Sequence, residues 1–337
     1  MFRELIEKLH RRQDLTVTEA SAAMAEIMAG HVTPAKISGF LVALSMKGER
    51  PSEVVGLAVA MRNHALKLSK RYEDLFDTCG TGGDGGSTFN ISSLAALVLA
   101  ACGVRVAKHG NRAVSSNCGS ADFFTSLGVA VDAEPLVVER CLDDCGIGFL
   151  FAPRFHPSMR HAAQARRDLG IRTVFNLLGP LANPAMVRRQ LVGVPRADLT
   201  DLMSRALVEL GSERAWVVHG ADGLDEVSTT GYTKITECNR GTVRSFYLHP
   251  NDFGLRVANP TELRASSPEE SLAIAQAVME GTVGAPRDMV LANAAAGLFI
   301  TDRVNSLVEG VSVAAAAIDS GSVQSVAAKL VSGSNSE

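Results

Sequence analysis

Long apolar runs, paired cysteines and an excess of charge of one sign are all missing from this sequence, and each absence removes a class of protein. No window approaches the roughly 18 uncharged apolar residues that a membrane span requires. The opening residues "MFRELIEKLHRRQD" alternate charge with apolar positions at helical spacing, and lack the apolar core and cleavage site of a secretory signal. A soluble, cytoplasmic chain with no membrane partner is expected. Lysine and arginine total 33 against 36 aspartates and glutamates, a formal charge of −3. Nucleic acid is therefore not expected as the main partner. Six cysteines, Cys79, Cys102, Cys118, Cys141, Cys145 and Cys238, include no C-x-x-C pair. Cys141 and Cys145 stand four apart on an expected helix, but no second His or Cys pair completes a zinc-site spacing. Reduced, structural thiols are expected.

What is present is enough apolar sequence, 46% of 337 residues, for a large core and two domains. Residues 1–66 read as helices only. Thr16-x-x-Glu19 is a capping box ahead of "ASAAMAEIMAG", with Gly30 placed to end that helix. Thr33-Pro34 starts another, stopped by Gly48, and "SEVVGLAVAMRNHALKL" after Pro51 makes a third. From Asp74 the runs "LFDT", "VRVAKH", "GFLFA", "QLVGVP" and "AWVVHG" alternate with helical stretches, which predicts a largely parallel sheet flanked by helices. Two alternating runs around Asn239-Arg240-Gly241 predict a hairpin that joins or caps the sheet edge. The stretch from His156 to Pro184 carries no strand pattern. The expected fold class is α/β: a small all-helical domain over 1–70, to which part of 156–184 returns, and a larger domain over 74–155 and 185–337.

Three loops carry chemistry. "LFDTCGTGGDGGSTFN", residues 75–90, follows a strand and precedes the apolar helix "SSLAALVLAACG", so backbone amides and a helix N-terminus point at one anion. It contains G-x-G-x-x-G at Gly80, Gly82 and Gly85, yet the region about 20 positions on, where a dinucleotide site needs an acid, is the basic "RVAKHGNR". No Lys-Ser or Lys-Thr closes it as a Walker loop. Asp84, in its middle, is read as an orienting group. "KHGNRAVSSNCGSAD" ends the next strand and offers Lys108 as a point charge for phosphate, with Asn111, Ser115, Ser116 and Ser120 as hydrogen-bonding partners. Asp225-Glu226 follows a further strand and supplies adjacent hard oxygen ligands suited to magnesium. Because loops at the C-terminal ends of parallel strands share one rim, all three should face one cleft. Arg166-Arg167 adds guanidinium forks that could grip a carboxylate; His109, His156 and His161 have no metal-site spacing.

These motifs resemble those of the anthranilate phosphoribosyltransferases. The resemblance runs through "DTCGTGGDGGSTFNIS", "KHGNRAVSS", "GSAD", "FAPRFHPSMRHAAQARRDLGIRTVFNLLGPLANPA", "GLDEVSTTG" and "LHPNDFGL". It implies a homodimer joined through the helical domains, with the site in the cleft between domains. It implies that phosphoribosyl pyrophosphate is held by Gly80, Gly83, Asp84, Thr88, Asn90, Ile91, Ser92 and Ser93, by the run Lys108, His109, Gly110, Asn111, Arg112, Ala113, Val114, Ser115 and Ser116, and by Ser120. Magnesium falls to Ser92, Asp225 and Glu226. Anthranilate falls to Gly80, Asn111 and Arg166, with His109, His156 and Gly179 lining its channel. Two departures stand out: Ser93 where members usually carry Thr, and Asn117-Cys118 where many read Lys-Ser.

The implied reaction replaces pyrophosphate at C1 of the ribose by the amine of anthranilate. Charge separates as the leaving group departs, so electrostatic stabilisation by magnesium, by Lys108 as the catalytic cation and by loop amides should dominate. The amine is neutral at pH 7 and needs positioning more than deprotonation. A pyrimidine nucleoside phosphorylase is the nearest alternative, but "KHGNRA" together with Asp225-Glu226 is not its pattern. A non-catalytic, nucleic-acid-binding relative would require a basic cleft and damaged phosphate motifs.

Overall fold

The computed structural model describes residues 1–83, 88–112 and 118–336. Asp84, Ala113, Val114, Ser115, Ser116 and Asn117 lie outside the described residues.

Four helices, α1 (Phe2–His10), α2 (Val17–Met28), α3 (Pro34–Lys47) and α4 (Pro51–Asn63), form a small N-terminal domain. The capping box is made as expected: Thr16 Oγ1 accepts from the Glu19 amide at 3.2 Å, and Glu19 Oε2 accepts from the Thr16 amide at 2.8 Å. Helix α3 stops where Gly48 takes φ 90°. Helix α4 ends at Asn63, short of the expected run to Leu68. His64 Nδ1 donates to the Ala60 carbonyl at 2.8 Å, and the Leu66 amide leaves to pair with the Phe155 carbonyl at 2.8 Å. The chain beyond is pinned by the buried Glu139, which accepts from Ser69 Oγ at 2.7 Å.

Among the described residues seven strands make one sheet: β1 (Phe76–Gly80), β2 (Val106–Gly110), β3 (Ile147–Phe151), β4 (Arg189–Gly193), β5 (Arg214–Gly220), β6 (Thr233–Asn239) and β7 (Thr242–Leu248). Their order is β3-β2-β1-β4-β5-β6-β7, parallel through β5 and antiparallel in the final hairpin. The hairpin turn places both Arg240 and Gly241 at positive φ, 46° and 85°, the primed geometry that matches strand twist. The hairpin extends the sheet at its edge.

Alternate residues of β5 enter different cores, as a period of two requires. Trp216 and Val218 pack with α5 (Ile91–Ala101) and the C-terminal helices, whereas Ala215 and Val217 join the core shared with the helical domain. The helix Arg160–Leu169 packs on α2 and α3 and buries Ala162 and Ala165 in that second core. One face of the sheet is thus continuous with the N-terminal domain. The crossover from β1 leads to β2 on one side while β4 lies on the other, so a crevice opens beyond the C-terminal ends of β1 and β4.

Candidate active site

At that crevice Gly80 and Gly193 are paired as the last residues of β1 and β4. A Cβ on Gly80 would strike the Asp225 carboxylate, and one on Gly193 would strike the Asp225 carbonyl. The two glycines make room for the loop after β5 to fold over the strand ends, which brings the acidic pair to the mouth of the sheet. Asp225 Oδ2 there accepts from the Gly82 amide at 3.0 Å, and Glu226 Oε1 accepts from the Ser92 amide, in the first turn of α5, at 3.2 Å. The loop is held from both sides. Asp222 accepts from Ser228 Oγ, Thr230 Oγ1 and the Leu224 amide, and the buried Asn293 clamps the main chain of Val227, donating to its carbonyl at 2.9 Å and accepting from its amide at 3.0 Å. Two carboxylates beside a serine hydroxyl form an all-oxygen set that fits a hard cation completed by phosphate and water. Among the described residues no cluster of three His, Cys, Asp or Glu side chains forms a metal cage on its own.

A polar cavity of about 290 Å³ lies between this loop, the glycine turn and the start of α5. Lys108 reaches its floor from β2. The side chain is 1% exposed, and its ammonium donates to the Thr78 carbonyl and, at 3.3 Å, to Ser92 Oγ. Below it, the buried Asp77 of β1 takes up the His109 amide at 3.2 Å and the Asn183 side chain at 2.8 Å. Asn183 also donates to the Ala107 carbonyl at 2.9 Å. Burial pushes the Asp77 carboxyl up, opposed first by the charge of Lys108 and then by these hydrogen bonds.

An apolar cavity of about 400 Å³ adjoins the polar one, and the two share Gly80, His109, Asn111, Arg166, Phe175 and Gly179. His109 and His156 face each other in it with ring centroids 5.2 Å apart. His109 Nδ1 lies 3.1 Å from the Gly179 carbonyl. A carbonyl only accepts, so His109 Nδ1 carries the proton and its Nε2 keeps a lone pair. Neither that Nε2 nor the Nε2 of His156 has a partner among the described residues. Burial, and secondarily the neighbouring His156, lowers His109 to about 3; burial lowers His156 to about 4. Both imidazoles are neutral acceptors near pH 7. Arg166 enters from its helix with its guanidinium 5.4 Å over the Phe175 ring, half in the apolar cavity, and burial lowers its pKa. The cleft therefore offers one charged, oxygen-rich compartment and one aromatic-sized compartment with a cation at the junction.

The family model for the "Glycosyl transferase family, a/b domain" matches residues 72–324, and that for its "helical bundle domain" matches residues 3–65. An anthranilate phosphoribosyltransferase of Moorella thermoacetica is 51% identical over 98% of this chain and 96% of its own length. The chain belongs to the anthranilate phosphoribosyltransferase family. Two solved structures of anthranilate phosphoribosyltransferases superimpose closely. The enzyme of Thermus thermophilus does so at TM-score 0.91 and 41% identity, covering 98% of this chain and 99% of that one. The enzyme of Saccharomyces cerevisiae, in complex with PRPP and Mg, does so at TM-score 0.91 and 28% identity, covering 100% and 98%.

Of the residues that resemblance to the anthranilate phosphoribosyltransferases singles out, Gly80, Thr88, Asn90, Ile91, Ser92, Ser93, Lys108, His109, Gly110, Asn111, Arg112, Ser120, Asp225 and Glu226 line the polar cavity. Arg166 and Gly179 line both cavities, and His156 lines the apolar one. Gly83 lies under the guanidinium of Arg172, a cavity residue the sequence reading passed over. Arg172 follows a helix by only a few positions in "DLGIRTVFN", where nothing in its neighbours marks a cleft. Gly193, Asp77 and Asn183 were passed over for the same reason: each acts through a partner far away in the chain. The six cysteines are free thiols, and Cys141 and Cys145 both turn into the core, with the Cys145 thiol donating to the Cys141 carbonyl at 3.1 Å.

Proposed function

We propose that this chain transfers the phosphoribosyl group of 5-phosphoribosyl 1-pyrophosphate to the amine of anthranilate. The observation that carries this reading is the meeting of the two compartments at Gly80, Asn111 and Arg166. A phosphorylated, charged donor suits the first compartment and a flat aromatic acid suits the second. The amine nitrogen bonds to C1 as the C1–oxygen bond to pyrophosphate breaks, the bonding pair leaves with pyrophosphate, and the nitrogen sheds a proton.

Gly80, Gly83, Asp84, Thr88, the run 90–93, the run 108–116 and Ser120 are proposed to hold the donor. Asp225, Glu226 and Ser92 would hold Mg2+, which when bound neutralises phosphate oxygens and favours departure of the leaving group. Lys108 contributes a fixed positive charge beneath the same oxygens. Arg166 grips the acceptor carboxylate, Asn111 orients its amine, and His109 lines the channel beside them. His156 and Gly179 shape the aromatic slot. With a folded-state pKa of about 3, His109 is a hydrogen-bond acceptor rather than a strong base.

A homodimer is proposed through the helical domain, where Met46 of α3 is 72% exposed beside a shallow surface cavity. A cytoplasmic location and the domain division at 1–70, with part of 156–184 returning to it, belong to the same reading. The direct test is loss of anthranilate fluorescence on mixing with phosphoribosyl pyrophosphate and magnesium, which should need all three components. Fluorescence that stays constant would refute the assignment. Light scattering should give twice the monomer mass.

A further inference from the structure

The short turn from Gly179 to Leu181 borders the acceptor cavity, and each of its three consecutive carbonyls is taken by a side chain from a different part of the chain. Gly179 accepts from His109 of β2 at 3.1 Å, and Pro180 accepts from Gln190 of β4 at 2.8 Å. Leu181 accepts from Arg62 Nε, in the last turn of α4, at 2.6 Å. One of these side chains is the His109 imidazole, which lines the acceptor cavity. The one that comes from the helical domain is Arg62.

Arg62 is a costly residue to keep where it is. It is 7% exposed, and no carboxylate among the described residues pairs with it. Its second contact, Nη1 to the Leu210 carbonyl at 3.4 Å, lies at the C-terminal end of the helix Leu199–Glu209, where a positive charge is favoured. Burial lowers its pKa to about 10. A hydrophobic residue of similar volume would spare the desolvation of a cation, and such replacements of buried ions are often neutral for stability. What a hydrophobe could not do is hold the Leu181 carbonyl, and with it the orientation of the carbonyls on either side.

We propose that Arg62 is a positioning residue for the acceptor compartment: by fixing the Gly179–Leu181 turn, it fixes the tautomer and aim of His109. The inference rests on the reading of that compartment as the anthranilate side, and it ties acceptor binding to the placement of the helical domain without Arg62 touching a substrate.

The test uses Arg62→Met, which keeps the aliphatic volume, and Arg62→Lys, which keeps the charge but only a single-point donor. Arg62→Met is expected to raise the KM for anthranilate about tenfold, one hydrogen bond's worth, while the KM for phosphoribosyl pyrophosphate stays within about twofold. Arg62→Lys should fall between Arg62→Met and the natural protein. Long-range 15N–1H NMR of the histidines gives a readout that does not depend on turnover. The natural protein should show a single Nδ1–H tautomer for His109, and Arg62→Met should show a mixture. Parallel rises in both KM values, or a His109 tautomer that stays single in Arg62→Met, would overturn the proposal. Should the natural protein fail to join anthranilate to the donor while the His109 tautomer still shifts, the functional reading falls and the role of Arg62 stands.

Discussion

The Ser92 amide donates to Glu226 Oε1 across 3.2 Å, so one member of the acidic pair sits on the first turn of α5, where a helix end would otherwise present its amides to an anion. A phosphate approaching this end meets a carboxylate, and a cation between them relieves the repulsion. Glu226→Gln keeps an oxygen for the Ser92 amide but removes the charge. The variant is expected to fold normally and to need about tenfold more magnesium for half-maximal rate, the effect of losing one charge-assisted contact. Magnesium titration at saturating donor checks this; an unchanged midpoint would remove Glu226 from the metal's ligands.

Arg166 is the guanidinium at the junction of the two compartments. Its planar fork matches a carboxylate in a way that an ammonium does not. Arg166→Lys should raise the KM for anthranilate about 10- to 100-fold and leave that for phosphoribosyl pyrophosphate nearly unchanged. Steady-state kinetics with each substrate varied in turn separates the two. Equal effects on both would mean that Arg166 holds the cleft together and does not select the acceptor.

Gly193 has no room for a methyl group because the Asp225 carbonyl already fills that space. Gly193→Ala should displace the acidic loop, costing about 1–3 kcal/mol of stability, and should weaken magnesium dependence at the same time. Gly231, in the same loop, has nothing within 4 Å of its Cβ position. Gly231→Ala is therefore the matched control, and thermal melts with and without donor and magnesium should separate the pair.

The two buried imidazoles make stability depend on acid. Burial first, and for His109 also the neighbouring ring, lowers their folded-state pKa values to about 3 and about 4. In the unfolded chain they titrate near 6.5, so between those values the unfolded state binds more protons and acid favours it. Their contribution is complete above about pH 6.5 and is lost as the pH falls toward 4 and then 3. Urea midpoints should be level from pH 7 to 8 and decline below about pH 6.5. His156→Phe should flatten part of that decline, and an equally steep decline in the variant would assign it to carboxylates elsewhere.

Much of the architecture was legible because it is written locally. Short apolar runs alternating with helical stretches marked the strands of the parallel sheet, two alternating runs around Asn239-Arg240-Gly241 marked the hairpin, and Thr16 with Glu19 marked a helix start. The rim followed from topology, since loops after parallel strands share an end. What stayed hidden consists of relationships between distant positions. Asp77 and Asn183 meet across 106 residues, and Arg62 and Leu181 across 119. Gly193 reads as an ordinary strand end until the Asp225 loop is laid over it. The tautomer of His109 is set by the Gly179 carbonyl, which no periodicity reveals. The early end of α4 depends on Phe155, far along the chain, accepting from Leu66.

Asp77 takes the place of a rung in the sheet. Beyond the pairing of Phe76 with Val106, the His109 amide turns to the Asp77 carboxylate instead of to a carbonyl of β1. The other carboxylate oxygen holds Asn183, which in turn donates to the Ala107 carbonyl of β2. Lys108, between Ala107 and His109, is thereby fastened on both sides, and its ammonium reaches back to the Thr78 carbonyl of β1. The height of the cation at the cavity floor is thus set by the seam between two strands, as a peg is set by its joint, and the loops above it have no part in placing it.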